Sequence, residues 1–146
     1  MLAGVMKAGA TAPVCEDFPR PAAREGAWVA NVLAAAMTRF DMMVAGGQHY
    51  FRPPAAPFVV GREAVLRLED GRRMYGGVHS MVAPWGSMAE QALVDPACLL
   101  PVPEGASDTL AAALGNGGLA ALLPLSWRAK LRKGERVLVL GTTGTS

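Results

Sequence analysis

The plainest chemistry in the sequence sits in its last eleven residues. Arg136-Val137-Leu138-Val139-Leu140 is a near-continuous apolar, β-branched run, and Gly141-Thr142-Thr143-Gly144-Thr145-Ser146 follows it at once. Such a run suits a strand buried on both faces of a parallel sheet. Glycine after such a strand permits a tight turn and lets backbone amides approach a pyrophosphate with no Cβ in the way, so Gly141-x-x-Gly144 is two thirds of a phosphate loop. The competing reading is an ordinary strand-ending turn, in which Gly and Thr are common. Anion affinity in these loops depends on free amides and the dipole of the next helix. That helix falls outside the 146 residues, so the chain alone is expected to bind a dinucleotide poorly.

The other chemically able side chains are more scattered. Cys15 and Cys98 lie far apart with no CxxC spacing, which suggests free thiols in a reducing compartment. His49 and His79 are isolated, and a lone loop histidine is more often solvated or hydrogen-bonded than a metal ligand. Trp28, Trp85 and Trp127 read as packing residues. Tyr50, Tyr75 and Glu63 could line a substrate cleft, although strand-end tyrosines and a hairpin glutamate have structural explanations. No catalytic acid or base is assigned.

These residues need elements to hold them. The chain is 51% hydrophobic over 146 residues, enough for one compact domain with a small appendage. Its net charge of +2 arises from 14 basic and 12 acidic residues with no block of like charge, so nucleic acid is not expected as a partner. Lys7, Gly4, Gly9 and Pro13 interrupt the apolar start, and no export signal is read. Leu110 to Leu125 contains Gly115, Asn116, Gly117, Gly118 and Pro124 and falls short of the ~20 apolar residues that span a bilayer. A cytoplasmic protein with no membrane segment is expected.

Residues 1–26 read as an extended entry segment. Trp28 to Met37 fits a strand better than a helix, and the Gly and Pro punctuation between Asp41 and Gly61 marks a long surface loop. Ala64 to Leu68 and Arg73 to Tyr75 flank Asp70-Gly71 as a hairpin, with Met88 to Val94 and Leu99 to Val102 as further strands. This pattern suggests a small barrel or sandwich. Ser107 caps a short helix from Asp108 to Leu114, a glycine break spans Gly115 to Gly118, and a second helix runs from Leu119 to Leu131, where Pro124 sits in the first turn or kinks it. Gly134 supplies the stop.

The order of these segments from about Phe18 onward resembles the medium-chain dehydrogenase/reductase superfamily, in its zinc-free, quinone-oxidoreductase-like branch. The segments are Val32 to Asp41, Gly46 to Tyr50, Pro57-Phe58-Val59-Val60-Gly61-Arg62-Glu63, Gly71 to Tyr75, Trp85 to Val94, Leu100 to Pro103, and Ala111 to Leu114 through Gly134 to Gly141. The resemblance implies a mainly β protein with an α/β appendage. A GroES-like β-barrel (27–106) would follow the N-terminal segment (1–26) and lead into the first helix and strand of a Rossmann domain (107–146), truncated at the glycine-rich loop. It further implies NADPH or NADH as cofactor, hydride transfer to a small carbonyl or quinone, and a homodimer. The pyrophosphate would lie on Gly141, Thr142, Thr143, Gly144, Thr145 and Ser146. Asn116 and Ala120 fall in the stretch that passes the nicotinamide, with alanine where a threonine is frequent. Where the zinc-dependent branch carries cysteine and histidine ligands this chain has Thr38 and Arg62, so no zinc is expected. A zinc-free alcohol dehydrogenase-like reductase and a non-catalytic barrel that binds a partner are the alternatives.

Overall fold

A computed structural model describes residues 1–141 of the 146-residue chain. Among the described residues, eight strands form two antiparallel sheets. The larger sheet is built around Glu63–Arg67 (β5), which pairs with Trp28–Ala36 (β3) on one edge and Arg73–Gly76 (β6) on the other. Gln91–Val94 (β7) extends it beyond β3, and Leu99–Pro101 (β8) extends it beyond β6. The smaller sheet has the order Val14–Asp17 (β2), Leu2–Met6 (β1), Phe58–Val59 (β4).

The strand pattern explains the core. β5 is flanked on both sides and carries Ala64, Val65 and Leu66, all fully buried. Leu66 packs with Ala30, Ala92, Val94 and Leu99 from three neighbouring strands. Asp70-Gly71 turns the chain between β5 and β6, with Gly71 at φ +87°, a conformation only glycine adopts freely. The β3–β5 register shifts between Val32 and Ala34, a bulge that interrupts the ladder there.

The two sheets meet at a corner formed by Gly4, Val60, Gly86 and Met88. Gly4 N–H donates to Met88 O, Met88 N–H to Val60 O, and Val60 N–H to Gly4 O, at 2.7 to 2.9 Å. A Cβ on Gly86 would run into the backbone carbonyl oxygens of Val59, Val60 and Gly61, so this crossing is closed to any larger residue.

The N-terminal segment expected across 1–26 contains β1 and β2, and its apolar residues Ala3, Val5 and Phe18 pack against Val59. β1 pairs with β2 nearby and with β4 more than fifty residues away; the local sequence obscures the first pairing with Gly4, Gly9 and Pro13, and only the fold reveals the second. The loop expected from Asp41 contains a helix, Arg39–Ala45 (α1), since the breaking residues begin only at Gly46 and Asp41 caps the first turn. The glycine break at 115–118 is also corrected. Asp108–Leu123 (α2) is one continuous helix, followed by a five-residue π turn at Pro124–Arg128 rather than a separate helix to Leu131. Ser107 accepts from Leu110 N–H as its cap. Gly115 survives in mid-helix because a Cβ there would overlap the ring of Tyr75; close approach outweighs the ~1 kcal/mol that glycine costs a helix.

Arg136–Leu140, expected as a buried strand, carries no sheet pairing among the described residues, and Leu138 and Leu140 are exposed. An apolar run of this kind becomes a strand only when neighbours supply its hydrogen bonds. Asp108–Arg128 is, by length and composition alone, long and apolar enough to cross a membrane, a length for which the run Leu110 to Leu125 by itself falls short, and its leucines are largely exposed.

Two stability effects follow. Leu66→Ala should cost about 2–5 kcal/mol, because the site is enclosed and collapses poorly around a cavity. Gly86→Ala should cost about 1–3 kcal/mol, since rigid carbonyls must shift. Urea unfolding curves of both variants check these values; a Gly86→Ala protein as stable as the parent would contradict the packing at the corner.

Candidate functional site between barrel and helix

Helix α2 docks against β3, β5 and β6, and a cleft is left between helix and sheet. Its floor is the end of β3 from Ala34, the turn at Thr38, and Glu63 at the start of β5; its roof is Ala112, Ala113, Asn116, Gly117 and Ala120 of α2. The volume is about 450 Å³. Small side chains on both walls create it, since alanine and glycine bring backbones near without filling the gap.

A second cleft of about 570 Å³ adjoins it and shares Phe40 and Asn116. Here the walls are aromatic: Phe40, Tyr50, Phe51, Tyr75 and His79. The rings are mutually packed. Phe40 sits edge-on to His49 at 4.9 Å and to Phe51 at 6.2 Å, and His79 lies 6.0 Å from Phe51. His49 Nδ1 accepts from Phe51 N–H at 3.0 Å, which fixes the loop that carries these rings.

Tyr75 and Glu63 join the two clefts. The Tyr75 hydroxyl donates to Glu63 Oε2 at 2.8 Å, while Oε1 of this buried carboxyl has no partner among the described residues. Burial, then the bond to Glu63 and its charge, push the Tyr75 phenol well above the usual tyrosine range; the Asn116 backbone amide beside it acts in the opposite sense. The raised value means that the folded state holds this proton more tightly than the unfolded chain. Its contribution to stability is therefore complete below about pH 10 and is lost as pH climbs above that.

Arg62 stands behind the aromatic wall. Its Nε and Nη2 both donate to Val78 O, at 2.8 and 2.6 Å, and its guanidinium lies 4.3 Å over the Phe51 ring. Burial draws its pKa down and the charge of Asp41 opposes that. Asp41 is itself buried; its Oδ2 accepts from Thr38 N–H and Oγ1–H, both at 2.8 Å. Between them lies a cavity of about 40 Å³, room for a single water. Thr38 and Arg62 are thus engaged with Asp41 and Val78, and among the described residues no three His, Cys, Asp or Glu side chains gather as a metal site.

The structure places the sequence candidates unevenly. Asn116 borders both clefts. Ala120 lines the inner one, offering a methyl where a hydroxyl would be polar. Gly141 is described, with φ +73°, and Thr142, Thr143, Gly144, Thr145 and Ser146 lie outside the described residues. Cys15 and Cys98 are both exposed and free. Sequence reasoning left the Glu63–Tyr75 pair unconnected, although the hairpin contained the signal. Counting back from Asp70-Gly71 pairs Val65 with Tyr75, which puts Glu63 diagonal to Tyr75 on the same face. The grouping of Phe40, Phe51 and His79 had no such signal, because separate loops bring them together.

No family model matches the chain. The quinone oxidoreductase-like protein 2 of Rattus norvegicus is 33% identical over 116 residues, covering 73% of this chain and 31% of that protein. Its Mus musculus counterpart is 31% identical over 141 residues, covering 90% and 38%. Among solved structures, the quinone oxidoreductase of Thermus thermophilus, determined together with its NADPH complex, superimposes with a TM-score of 0.77 at 37% identity over 99% of this chain and 46% of its own. A probable oxidoreductase of Mycobacterium abscessus gives 0.80 at 27% identity over 98% and 48%. The chain spans under half the length of each of these relatives. With the strand order, the helix across the barrel and these likenesses in agreement, the chain belongs to the medium-chain dehydrogenase/reductase superfamily, in its quinone-oxidoreductase-like branch.

Proposed function

We propose that this chain supplies the substrate cleft of a soluble, cytoplasmic NADPH- or NADH-dependent oxidoreductase that reduces a quinone, enone or related small carbonyl compound without zinc. The observation that carries the reading is the cleft under α2, whose alanines and glycine leave room beside the polar side chains of Arg39, Glu63 and Asn116, in a chain 37% identical to a quinone oxidoreductase determined with NADPH. In this reading 27–106 is the barrel unit, joined by the strands within 1–26, and 107–146 begins the cofactor unit.

The cofactor, when bound, supplies hydride. The residues present suit a nicotinamide dinucleotide in one respect that the fold exhibits: Gly141 already holds the positive φ that a glycine turn needs. Gly141 to Ser146 would carry the pyrophosphate by motif, and Asn116 would meet the nicotinamide end. The chain's own residues would orient the acceptor and exclude water, which is the larger part of the protein's task when a cofactor carries the chemistry. Zinc finds poor surroundings, since a fixed guanidinium and an already bonded hydroxyl stand where ligands would be needed. The exposed apolar face of α2 suits packing against the rest of the same protein or a second subunit, in keeping with a homodimer, better than burial in a bilayer. The near-even balance of charge gives nucleic acid no patch to follow.

The test, run on a protein in which the chain continues through the cofactor unit, is nicotinamide oxidation followed at 340 nm with quinones, enones and aldehydes as acceptors. Turnover is expected with at least one class, and its absence with all three sinks the reading. Chelator dialysis should leave the rate unchanged; a loss restored by zinc would refute the zinc-free assignment. Asn116→Leu should lower kcat/KM about tenfold, the scale of one lost hydrogen bond.

A further inference from the structure

We propose that the two clefts form one site for a planar aromatic carbonyl compound: the ring lies among Phe40, Tyr50, Phe51 and His79, and the carbonyl oxygen accepts from the Asn116 carboxamide, which Glu63 and Tyr75 hold in place. The proposal rests on the carbonyl-reducing reading above and assigns its recognition to residues of this chain.

Three observations converge on it. First, the outer cleft is lined by aromatic rings, which favour offset or edge-to-face contact with another aromatic plane over contact with a saturated ring. Second, the inner cleft combines small apolar groups of β3 and α2 with the polar side chains of Thr38, Arg39, Glu63 and Thr109, and Asn116 is the polar residue that lines both spaces. A carboxamide has two N–H donors, and a quinone or ketone oxygen can only accept. The match is therefore one of donor to acceptor, at the point where the aromatic space ends.

Third, the position of Asn116 is fixed by its neighbours. The Tyr75 ring lies in the notch that Gly115 leaves open in α2, and a Cβ there would overlap it. Its hydroxyl is tied to Glu63, the first residue of β5, and the backbone amide of Asn116 lies beside the phenol oxygen. A chain of contacts thus runs from the buried centre of the sheet, through Glu63 and Tyr75, to the helix backbone at 115–116. Glu63 and Tyr75 are positioning residues in this scheme: they act through Asn116.

Two fluorescent probes of equal shape separate the roles: 2-acetylnaphthalene, which has a carbonyl, and 2-isopropenylnaphthalene, which has a methylene in its place. Equilibrium titration without nucleotide should show the ketone binding about fivefold tighter, the scale of one net hydrogen bond. Asn116→Leu should bring the ratio to about one while the hydrocarbon still binds. Tyr75→Phe, which keeps the ring in its notch, and Glu63→Leu should lower the ratio toward one with hydrocarbon affinity within about twofold of the parent. Glu63→Gln, whose amide oxygen still accepts from the phenol, should preserve it. A merely structural role would weaken both probes together. A parent ratio of one, or a ratio untouched in Asn116→Leu, overturns the proposal; a ratio untouched in both Tyr75→Phe and Glu63→Leu removes the positioning role. Nicotinamide turnover with a ratio of one would defeat this assignment alone, and a fivefold ratio with no turnover would defeat only the reductase reading.

Discussion

Strand β5 is hemmed in by β3 on one side and β6 on the other, and its enclosure governs both the fold and the cleft. Ala64, Val65 and Leu66 bury their side chains on either face of the sheet, so the strand cannot slip by one residue without turning every one of them over. Glu63 is the first residue of that locked strand. Its carboxyl is consequently fixed in the sheet, the Tyr75 phenol is fixed by the carboxyl, and the helix is seated against the phenol ring at Gly115. Register in the sheet is thereby converted into the position of a helix far along the chain.

A division of labour between the two clefts follows from side-chain size. Alanine and glycine keep helix and sheet from filling the space where they approach, and the polar groups there stand at its ends, on Thr38, Arg39, Glu63 and Asn116. Aromatic rings dominate where loops meet the sheet edge, and there the packing of ring on ring keeps a loop between Gln48 and Pro57 in one arrangement without a regular ladder. Arg62 contributes to that order by lying across Phe51 and by capping the Val78 carbonyl twice, which secures the loop from below.

Much of this was readable in the residues where the governing contacts are local. The β5–β6 hairpin follows from alternation around Asp70-Gly71, β3 from the apolar run at Trp28, and the start of α2 from Ser107. Reading failed where distant contacts decide. β1 carries Gly4 and precedes Gly9 and Pro13, and it forms between β2 and the distant Phe58 and Val59, which pair with its two edges. Gly115 and its neighbours look like a break until Tyr75 is brought against them. In the site, Asn116 and Gly141 could be picked out by motif and Tyr75 and Glu63 by residue type, but their connection depends on strand register, and the aromatic wall depends on loops whose course local sequence does not dictate.

The π turn at Pro124–Arg128 has an optical outcome. Proline has no amide hydrogen to give, the Ser126 hydroxyl bonds back to the Leu122 carbonyl, and the helix widens there before it stops. The indole of Trp127 is carried outward as a result and is 74% exposed, whereas the Trp85 indole N–H is bonded to Pro19 O. Trp127 is therefore the most exposed of the three tryptophans, Trp28 being 43% exposed, and it stands at the end of the apolar helix. Whatever comes to cover that helix will report its own arrival as a shift of the emission toward the blue.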